Sequence, residues 1–273
     1  MVQTTISVWE ACLLGVVQGL TEFLPVSSDG HLAMVQYFLA PMPAEEKLAV
    51  DVALHFGTLV AVILYFRGEL LEMAAALVGR STVPYARRWI WLLALATLPA
   101  AVAGLPLKSL IESTYDSLVV IGLSFIATGT FLFFASAVRG AHRTETELGP
   151  VDAVMIGSFQ VLALLPGLSR SGTTISAALF RRTRPDVAAK FSFLLAIPAI
   201  LGAEVVEARS IFGLAPAARV PVAIGVVVAG LVGFFAIAAL LRVVRGGKLH
   251  WFAYYCWALG LAVLIGAAVG ALG

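Results

Sequence analysis

Residues 18–31 read QGLTEFLPVSSDGH: a glutamine, a glutamate, two serines, an aspartate and a histidine gathered around a proline. The chain on either side is apolar, so a run long enough to enter a hydrocarbon layer is interrupted near its middle. Broken backbone at membrane depth is tolerated only where protein buries it or a water-filled cavity meets it. The remainder of the 273 residues puts the chain in a membrane, with 60% hydrophobic residues, only 12% charged and a mean hydropathy of +0.98. No soluble domain of ordinary composition looks like this.

Stretches able to cross a core of roughly 30 Å as helices are predicted at 49–66, 89–106, 118–138, 191–207, 220–241 and 251–271. Two more apolar stretches, 7–40 and 153–180, are each broken by a Pro-containing segment rich in Ser and Gly. They read as re-entrant hairpins rather than spans. Lys and Arg number 4, 2, 4 and 3 in loops 67–88, 139–150, 181–190 and 242–250, against 1, 1 and 2 in segments 1–48, 107–117 and 208–219. The positive-inside rule then puts the first set of loops in the cytoplasm and both termini outside. Arg181, Arg182 and Arg184 act as topology determinants, and Glu204 and Glu207 fall at the interface near the outer end of a span.

The two broken stretches resemble each other. Gly15, Gln18, Leu20, Ser27 and Gly30 recur as Gly157, Gln160, Leu162, Ser169 and Gly172 at a constant offset, with Pro25 and Pro166 shifted by one. Phe56, Leu59 and Ala61 recur as Phe191, Leu194 and Ala196. Each half holds one hairpin and three spans, an odd number, so the halves would be inverted relative to each other. The expected fold is an all-α integral membrane protein, an inverted repeat of six transmembrane helices plus two re-entrant helical hairpins. The first repeat is residues 1–138 and the second 150–273, joined by a cytoplasmic linker at 139–149.

Several functions are excluded at this level. Cys12 and Cys256 are too far apart in apolar sequence for a disulfide framework or metal-ligand spacing, and no basic stripe offers a nucleic-acid surface. With no Lys or Arg before Lys47, the start does not read as a secretory signal. Gly266 and Gly270 form a GxxxG pair, a weak pointer to a homodimer.

The polar residues of the breaks carry the chemistry. An ionisable group at mid-bilayer costs about 2.5–3.5 kcal/mol on insertion scales, so Glu22 needs a partner or a function. Gln18 and Glu22 share one helix face, and Ser27, Ser28, Asp29 and His31 follow directly. The second break, LPGLSRSGTTIS at 165–176, offers Ser169, Arg170, Ser171, Gly172, Thr173 and Thr174. Glycine backbone, hydroxyl donors and a forked cation suit phosphate oxygens, and a helix starting there adds its positive end. The plain alternatives are a structural Glu22–Arg170 ion pair and Ser or Gly serving only for packing and caps. His55, at the start of a span in LHFGT, reads as structural.

These two motifs closely resemble the signatures of the undecaprenyl-diphosphate phosphatase family of the bacitracin-resistance type. Gln18 and Glu22 match its acidic-or-Gln, three residues, Glu pattern, and Pro166, Gly167, Ser169, Arg170, Ser171 and Thr174 match PGxSRSxxT. Asp29 departs, standing where a small or hydroxyl residue is common. The resemblance implies hydrolysis of a polyprenyl diphosphate to the monophosphate and inorganic phosphate, recycling the lipid carrier of cell-wall precursors. It also implies a divalent cation, Mg2+ or Ca2+, and a bacterial inner (plasma) membrane. On that footing Glu22, Ser28, His31 and Arg170 are the catalytic candidates: Glu22 as metal ligand or base, Ser28 as nucleophile in competition with water, His31 as the acid at the leaving group and Arg170 as charge stabiliser. Gln18, Ser27, Ser169, Ser171, Gly172, Thr173 and Thr174 would bind substrate, and Glu22 and Asp29 the metal. A transporter or flippase of a lipid phosphate or other anion would share this architecture. A phosphatidic-acid-phosphatase pattern, Ser-Arg-x5-His-x3-Asp, fails because Ser176 stands where its His belongs.

Overall fold

A computed structural model describes residues 6–39, 42–115 and 117–270, with residue 112 described by its backbone alone. Residue 40, the expected end of the first hairpin, and both chain ends lie outside the described residues. The described chain is helical throughout. In order the helices are α1 (Val8–Phe23), α2 (Ser28–Phe38), α3 (Ala44–Tyr65), α4 (Arg67–Leu77), α5 (Ala86–Glu112) and α6 (Leu118–Ser136), then α7 (Pro150–Leu162), α8 (Arg170–Phe180), α9 (Pro185–Phe212), α10 (Pro216–Arg245) and α11 (His250–Ala268). Among the described residues there is no strand, only an isolated bridge between Arg143 and Thr183.

Six helices, α3, α5, α6, α9, α10 and α11, are long and apolar enough to cross a membrane. They overlap the six predicted spans one for one. Polarity is inverted relative to a soluble protein: large apolar side chains such as Val102, Val205, Phe212 and Phe235 are exposed, while Gln18, Glu22, Thr128, Ser171 and Thr174 are buried. Only a hydrocarbon solvent makes that arrangement stable. The protein is a multi-pass, all-α membrane protein.

The two expected breaks are present, and local chemistry explains them. A capping box of Ser7 and Glu10 starts α1. The helix stops at Leu24, held extended (φ −63°, ψ 139°) by the following Pro25. The second break runs from Ala163, after α7, to Ser169, whose hydroxyl accepts from the Gly172 N–H and caps α8. Gly167 sits in this break at φ +87°, a conformation that favours glycine.

One feature departs from the sequence expectations. The stretch 67–88, which reads as a loop, contains α4, a run of good helix formers that buries Met73 and Ala76 and packs on α5. The segment 139–149 is held to α5, since Trp89 Nε1 donates to the Glu145 carbonyl at 3.0 Å and Arg88 to the Thr146 carbonyl at 2.8 Å. Gly270 follows the end of α11 at φ +67° with its N–H on the Ala267 carbonyl.

Helices meet closely through small residues. A Cβ on Gly15 of α1 would come within 2.5 Å of the Gly225 carbonyl oxygen on α10, and one on Gly157 of α7 within 2.4 Å of the Ala96 carbonyl oxygen on α5. Gly122 of α6 and Gly260 of α11 abut each other's backbone in the same way. Such approach substitutes dispersion and backbone contact for a hydrophobic drive that lipid does not provide.

At one end of the bundle Asp152, with its side chain 2% exposed, gathers Arg143, Arg181 and the Gly149 N–H at 2.7–2.8 Å. Burial alone would raise its pKa, but the hydrogen bonds from Arg143, Arg181 and Gly149 hold it at about 2. With the folded value below the unfolded one, this contribution is complete above about pH 4 and is lost as pH falls through about 2. Asp152→Asn should therefore destabilise the protein in detergent by about 2–3 kcal/mol at neutral pH, less than a fully buried pair because Arg181 is 40% exposed. The difference from the parent should vanish toward pH 2, and a deficit that is independent of pH would refute the ion cluster as its source.

Gly167→Ala should cost about 2 kcal/mol or more, because the new Cβ is strained at φ +87° and falls 2.7 Å from the Ile121 carbonyl oxygen. Gly104→Ala, with nothing within 4 Å of the added carbon, should be neutral or slightly stabilising. Thermal unfolding of the two variants side by side checks this.

Candidate active site

The two breaks meet. A Cβ on Gly30, in the first turn of α2, would lie 3.0 Å from Gly167 Cα and 2.7 Å from Phe125 Cζ, so the first break touches the second at their glycines. Thr128 of α6 braces the second break, its Oγ1 accepting from the Ser169 N–H at 3.0 Å and donating to the Gly167 carbonyl at 3.3 Å. Ser171 Oγ donates to the Leu24 carbonyl at 3.2 Å, tying the start of α8 to the end of α1.

Glu22 is the hub of this junction. Its Oε1 accepts from Arg170 at 2.6 Å, across 148 positions of sequence. Its Oε2 accepts from Ser28 Oγ at 2.6 Å and from Gln18 Nε2 at 3.3 Å. The side chains of Glu22 and Arg170 are only 6% and 15% exposed. Arg170 is also anchored to the Ser192 carbonyl on α9 at 3.2 Å, and Ser192 Oγ lies 2.7 Å from Thr174 Oγ1. A hydroxyl donating to a carboxylate, with a guanidinium on the carboxylate's other oxygen, is an arrangement able to supply a nucleophile, a base and an anion clamp.

Ser27, which caps α2 through the Gly30 N–H, has φ 71° and ψ 108°, rare for a residue with a side chain. Strain of this kind collects where the surrounding structure over-determines a local geometry. It turns the chain so that Ser28 faces Glu22 directly after the proline.

Of the residues singled out in the sequence, Gln18, Glu22, Ser28 and Arg170 stand together, and Ser169, Ser171 and Gly172 line the start of α8 beside them. The hydroxyls of Thr173 and Thr174 turn back onto the Arg170 carbonyl. His31 is not brought to the carboxylate. Its Nδ1 donates to the Ser27 carbonyl at 2.6 Å, its Nε2 accepts from Tyr255 at 2.7 Å, and its ring stacks on Tyr255. The histidine that faces the site is His55 of α3, whose Nε2 lies 3.5 Å from Glu22 Oε2 and 3.6 Å from Asp29 Oδ1. Sequence reading leaves His55 structural because it opens an apolar span; its spacing of four from Asp51, the one acid in the predicted span 49–66, was the available signal.

The oxygens around Glu22 and Asp29 suit a hard cation, and Gln18 Oε1 beside them is buried with no hydrogen-bond partner. Among the described residues no three His, Cys, Asp or Glu side chains form a ready-made metal cage. A cation here would share ligands with substrate and water.

The model for the family described as Bacitracin resistance protein BacA matches residues 11–262. The chain belongs to that family. Its similarity extends to curated proteins named undecaprenyl-diphosphatase. The one from Carboxydothermus hydrogenoformans is 40% identical over 96% of this chain and 98% of its own, and the one from Gemmatimonas aurantiaca 44% identical over 94% and 97%. A third, from Syntrophotalea carbinolica, is 42% identical over 92% and 95%. The match to the BacA family runs through both breaks, so every residue of the Glu22 cluster lies inside it.

Glu22 and Arg170 should couple strongly. In a double-mutant cycle of Glu22→Gln and Arg170→Gln, the interaction free energy should be about 2 kcal/mol or more, since each single change strands a buried charge and the pair of changes removes both. Additivity within about 0.5 kcal/mol would show that other contacts hold the breaks together.

Proposed function

We propose that this BacA-family protein is a membrane phosphatase that hydrolyses undecaprenyl diphosphate to undecaprenyl phosphate and inorganic phosphate, recycling the lipid carrier for cell-wall synthesis. The observation that carries the reading is the single carboxylate, Glu22, that receives Ser28 from one broken element and Arg170 from the other. The names of relatives about 40% identical along nearly the whole chain support the substrate.

Glu22 takes the Ser28 proton as Oγ attacks the terminal phosphorus. The bond from that phosphorus to the bridging oxygen breaks, and Glu22 returns the proton to the departing polyprenyl phosphate. Water then displaces the phosphoryl group from Ser28, with Glu22 as base, releasing inorganic phosphate and restoring the hydroxyl. Arg170 neutralises the phosphoryl oxygens throughout, the effect that dominates phosphoryl transfer. Gln18 orients Glu22, while Ser169 and Ser171 with the start of α8 offer donors to the second phosphate. His31 clamps α2 to α11 through Tyr255. A divalent cation, Mg2+ or Ca2+, held by Glu22 and Asp29, would screen the diphosphate charge when bound.

The architecture fits an inverted repeat in which α1–α2 and α7–α8 are re-entrant hairpins. The halves exchange partners: α1 packs on α10 as α7 packs on α5, and α3 on α10 as α9 on α5. Gly15 and Gly157, equivalent by sequence, each abut a partner's backbone carbonyl. Ser27 and Ser169 cap α2 and α8 in the same manner. The Lys and Arg bias of the loops supports a bacterial plasma membrane orientation with both termini outside.

Purified protein should release phosphate from undecaprenyl diphosphate, and Glu22→Gln and Arg170→Ala should each lose at least about 10²-fold in kcat while remaining folded. Excess EDTA should abolish release reversibly. Acid quench with labelled substrate should trap phosphate on Ser28; turnover with no phosphoenzyme would transfer the attack to water, and lipid-phosphate transport without phosphate release would overturn the enzyme reading.

A further inference from the structure

We propose that Tyr255 of α11 is a positioning residue for the Ser28 hydroxyl, acting through the His31 ring on the peptide that joins Ser27 to Ser28. The proposal deepens the phosphatase reading and rests on it for Ser28 as the attacking group. Ser27, at φ 71° and ψ 108°, has a backbone conformation that a residue with a side chain rarely adopts, so its neighbours must hold it there. Two of its contacts are long: the hydroxyl accepts from the Gly30 N–H, and the carbonyl from the His31 N–H, each at 3.4 Å. The short one comes from the His31 side chain, whose Nδ1 lies 2.6 Å from the same carbonyl oxygen. A carbonyl only accepts, so Nδ1 carries the hydrogen whether the ring is neutral or protonated. Because the peptide unit is planar, the direction of the Ser27 carbonyl also fixes where the Ser28 nitrogen and Cα lie. From that backbone the Ser28 hydroxyl reaches Glu22 Oε2 at 2.6 Å.

The imidazole is itself held. Tyr255 places its hydroxyl 2.7 Å from Nε2 and its ring within 8° of parallel to the imidazole, with centroids 5.8 Å apart, while Phe125 meets the imidazole edge-on at 5.3 Å. A phenol hydroxyl both donates and accepts, so it serves Nε2 in either charge state of the ring. With both nitrogens engaged, a half-turn about the Cβ–Cγ bond of His31 breaks two hydrogen bonds; without the hydroxyl it breaks one. The next residue of α11, Cys256, is fully buried with its Sγ 3.7 Å from the Pro25 carbonyl oxygen. Two successive residues of α11 thus touch the first break on either side of Ser27 and Ser28, although the helix packs chiefly on α6. Core packing does not account for Tyr255, which is 47% exposed and yet turns its polar end inward to the break.

Tyr255→Phe deletes one oxygen and keeps the ring. In the purified full chain acting on undecaprenyl diphosphate, it should lower kcat about tenfold or more while KM stays within about twofold, the signature of a misaimed nucleophile. Tyr254→Phe, in the neighbouring ring packed on Phe133 and Trp257, should change neither. His31→Asn, whose amide nitrogen stands in for Nδ1, should keep most of the activity and become insensitive to Tyr255→Phe, whereas His31→Gln, whose amide matches Nε2, should be impaired. Without substrate, nuclear magnetic resonance of the 15N-histidine-labelled chain should show the His31 hydrogen on Nδ1. That signal should be absent from His31→Asn, which assigns it, and displaced in Tyr255→Phe. Unchanged kcat in Tyr255→Phe, a change in KM alone, an inactive His31→Asn, or a His31 signal indifferent to Tyr255→Phe would each overturn the assignment. Failure of the parent chain to release phosphate would refute the phosphatase reading separately, because the histidine spectrum needs no turnover.

Discussion

The Glu22–Arg170 ion pair is the constraint on which the rest of the structure turns. Two charges at membrane depth are each expensive alone, and neither break supplies both. Glu22 enters on the first broken element and Arg170 on the second, so each buried charge finds its counter-charge only where the breaks meet. Everything that brings them together serves that contact. Gly30 against Gly167 sets the distance, Thr128 fixes the loop before α8, and the Ser192 carbonyl stops Arg170 from swinging away. A buried pair is not in itself a large source of stability. Its contribution is to register, because a mispaired break would leave a buried carboxylate and guanidinium without each other.

Much of this was legible in the sequence, for definite physical reasons. The six spans follow from length and hydropathy, since the bilayer imposes both. The breaks follow from Pro25 and from the Ser-Gly composition around Gly167, because neither can continue a helix without a cost. The cluster of Glu22, Ser28 and Arg170 was readable because polar residues in such surroundings demand partners. His55 was not, since a single histidine at the head of an apolar run has a satisfactory structural explanation and only the third dimension shows which face of α3 meets the site. Helix α4 escaped for a related reason: its charged start at Arg67 and Glu69 looks like a loop until Met73 and Ala76 are seen packed on α5. The role of His31 turned on Tyr255, 224 residues away, a contact that no local pattern encodes.

Packing and chemistry are linked through the glycines. α1 can carry Gln18 and Glu22 into the centre only because Gly15 and Gly19, on the same helix, let it lie almost backbone to backbone on α10. On the other side, Gly157 lets α7 press against α5 and places the second break opposite the first. A methyl group at either contact would shift Glu22 or Arg170 by a distance comparable to a hydrogen bond's tolerance, enough to break their contact. The inverse polarity of the bundle follows from the same design, with apolar bulk facing lipid and small or polar residues facing inward.

Charge balance then decides what the site can receive. The protein's own groups, Glu22 and Asp29 against Arg170 with His55 between the carboxylates, come close to neutrality or to one excess negative charge. A diphosphate brings several more negative charges into a region of low dielectric, where each unpaired one is costly. Arg170 alone cannot offset them while it is engaged with Glu22. On the proposed reading the substrate would either draw Arg170 off the carboxylate, leaving Glu22 available as the base on Ser28, or enter together with a cation. Drawing Arg170 onto the phosphates would leave Glu22 more basic beside Ser28, whose hydroxyl already donates to it, and a cation would supply the positive charge that Arg170 takes away.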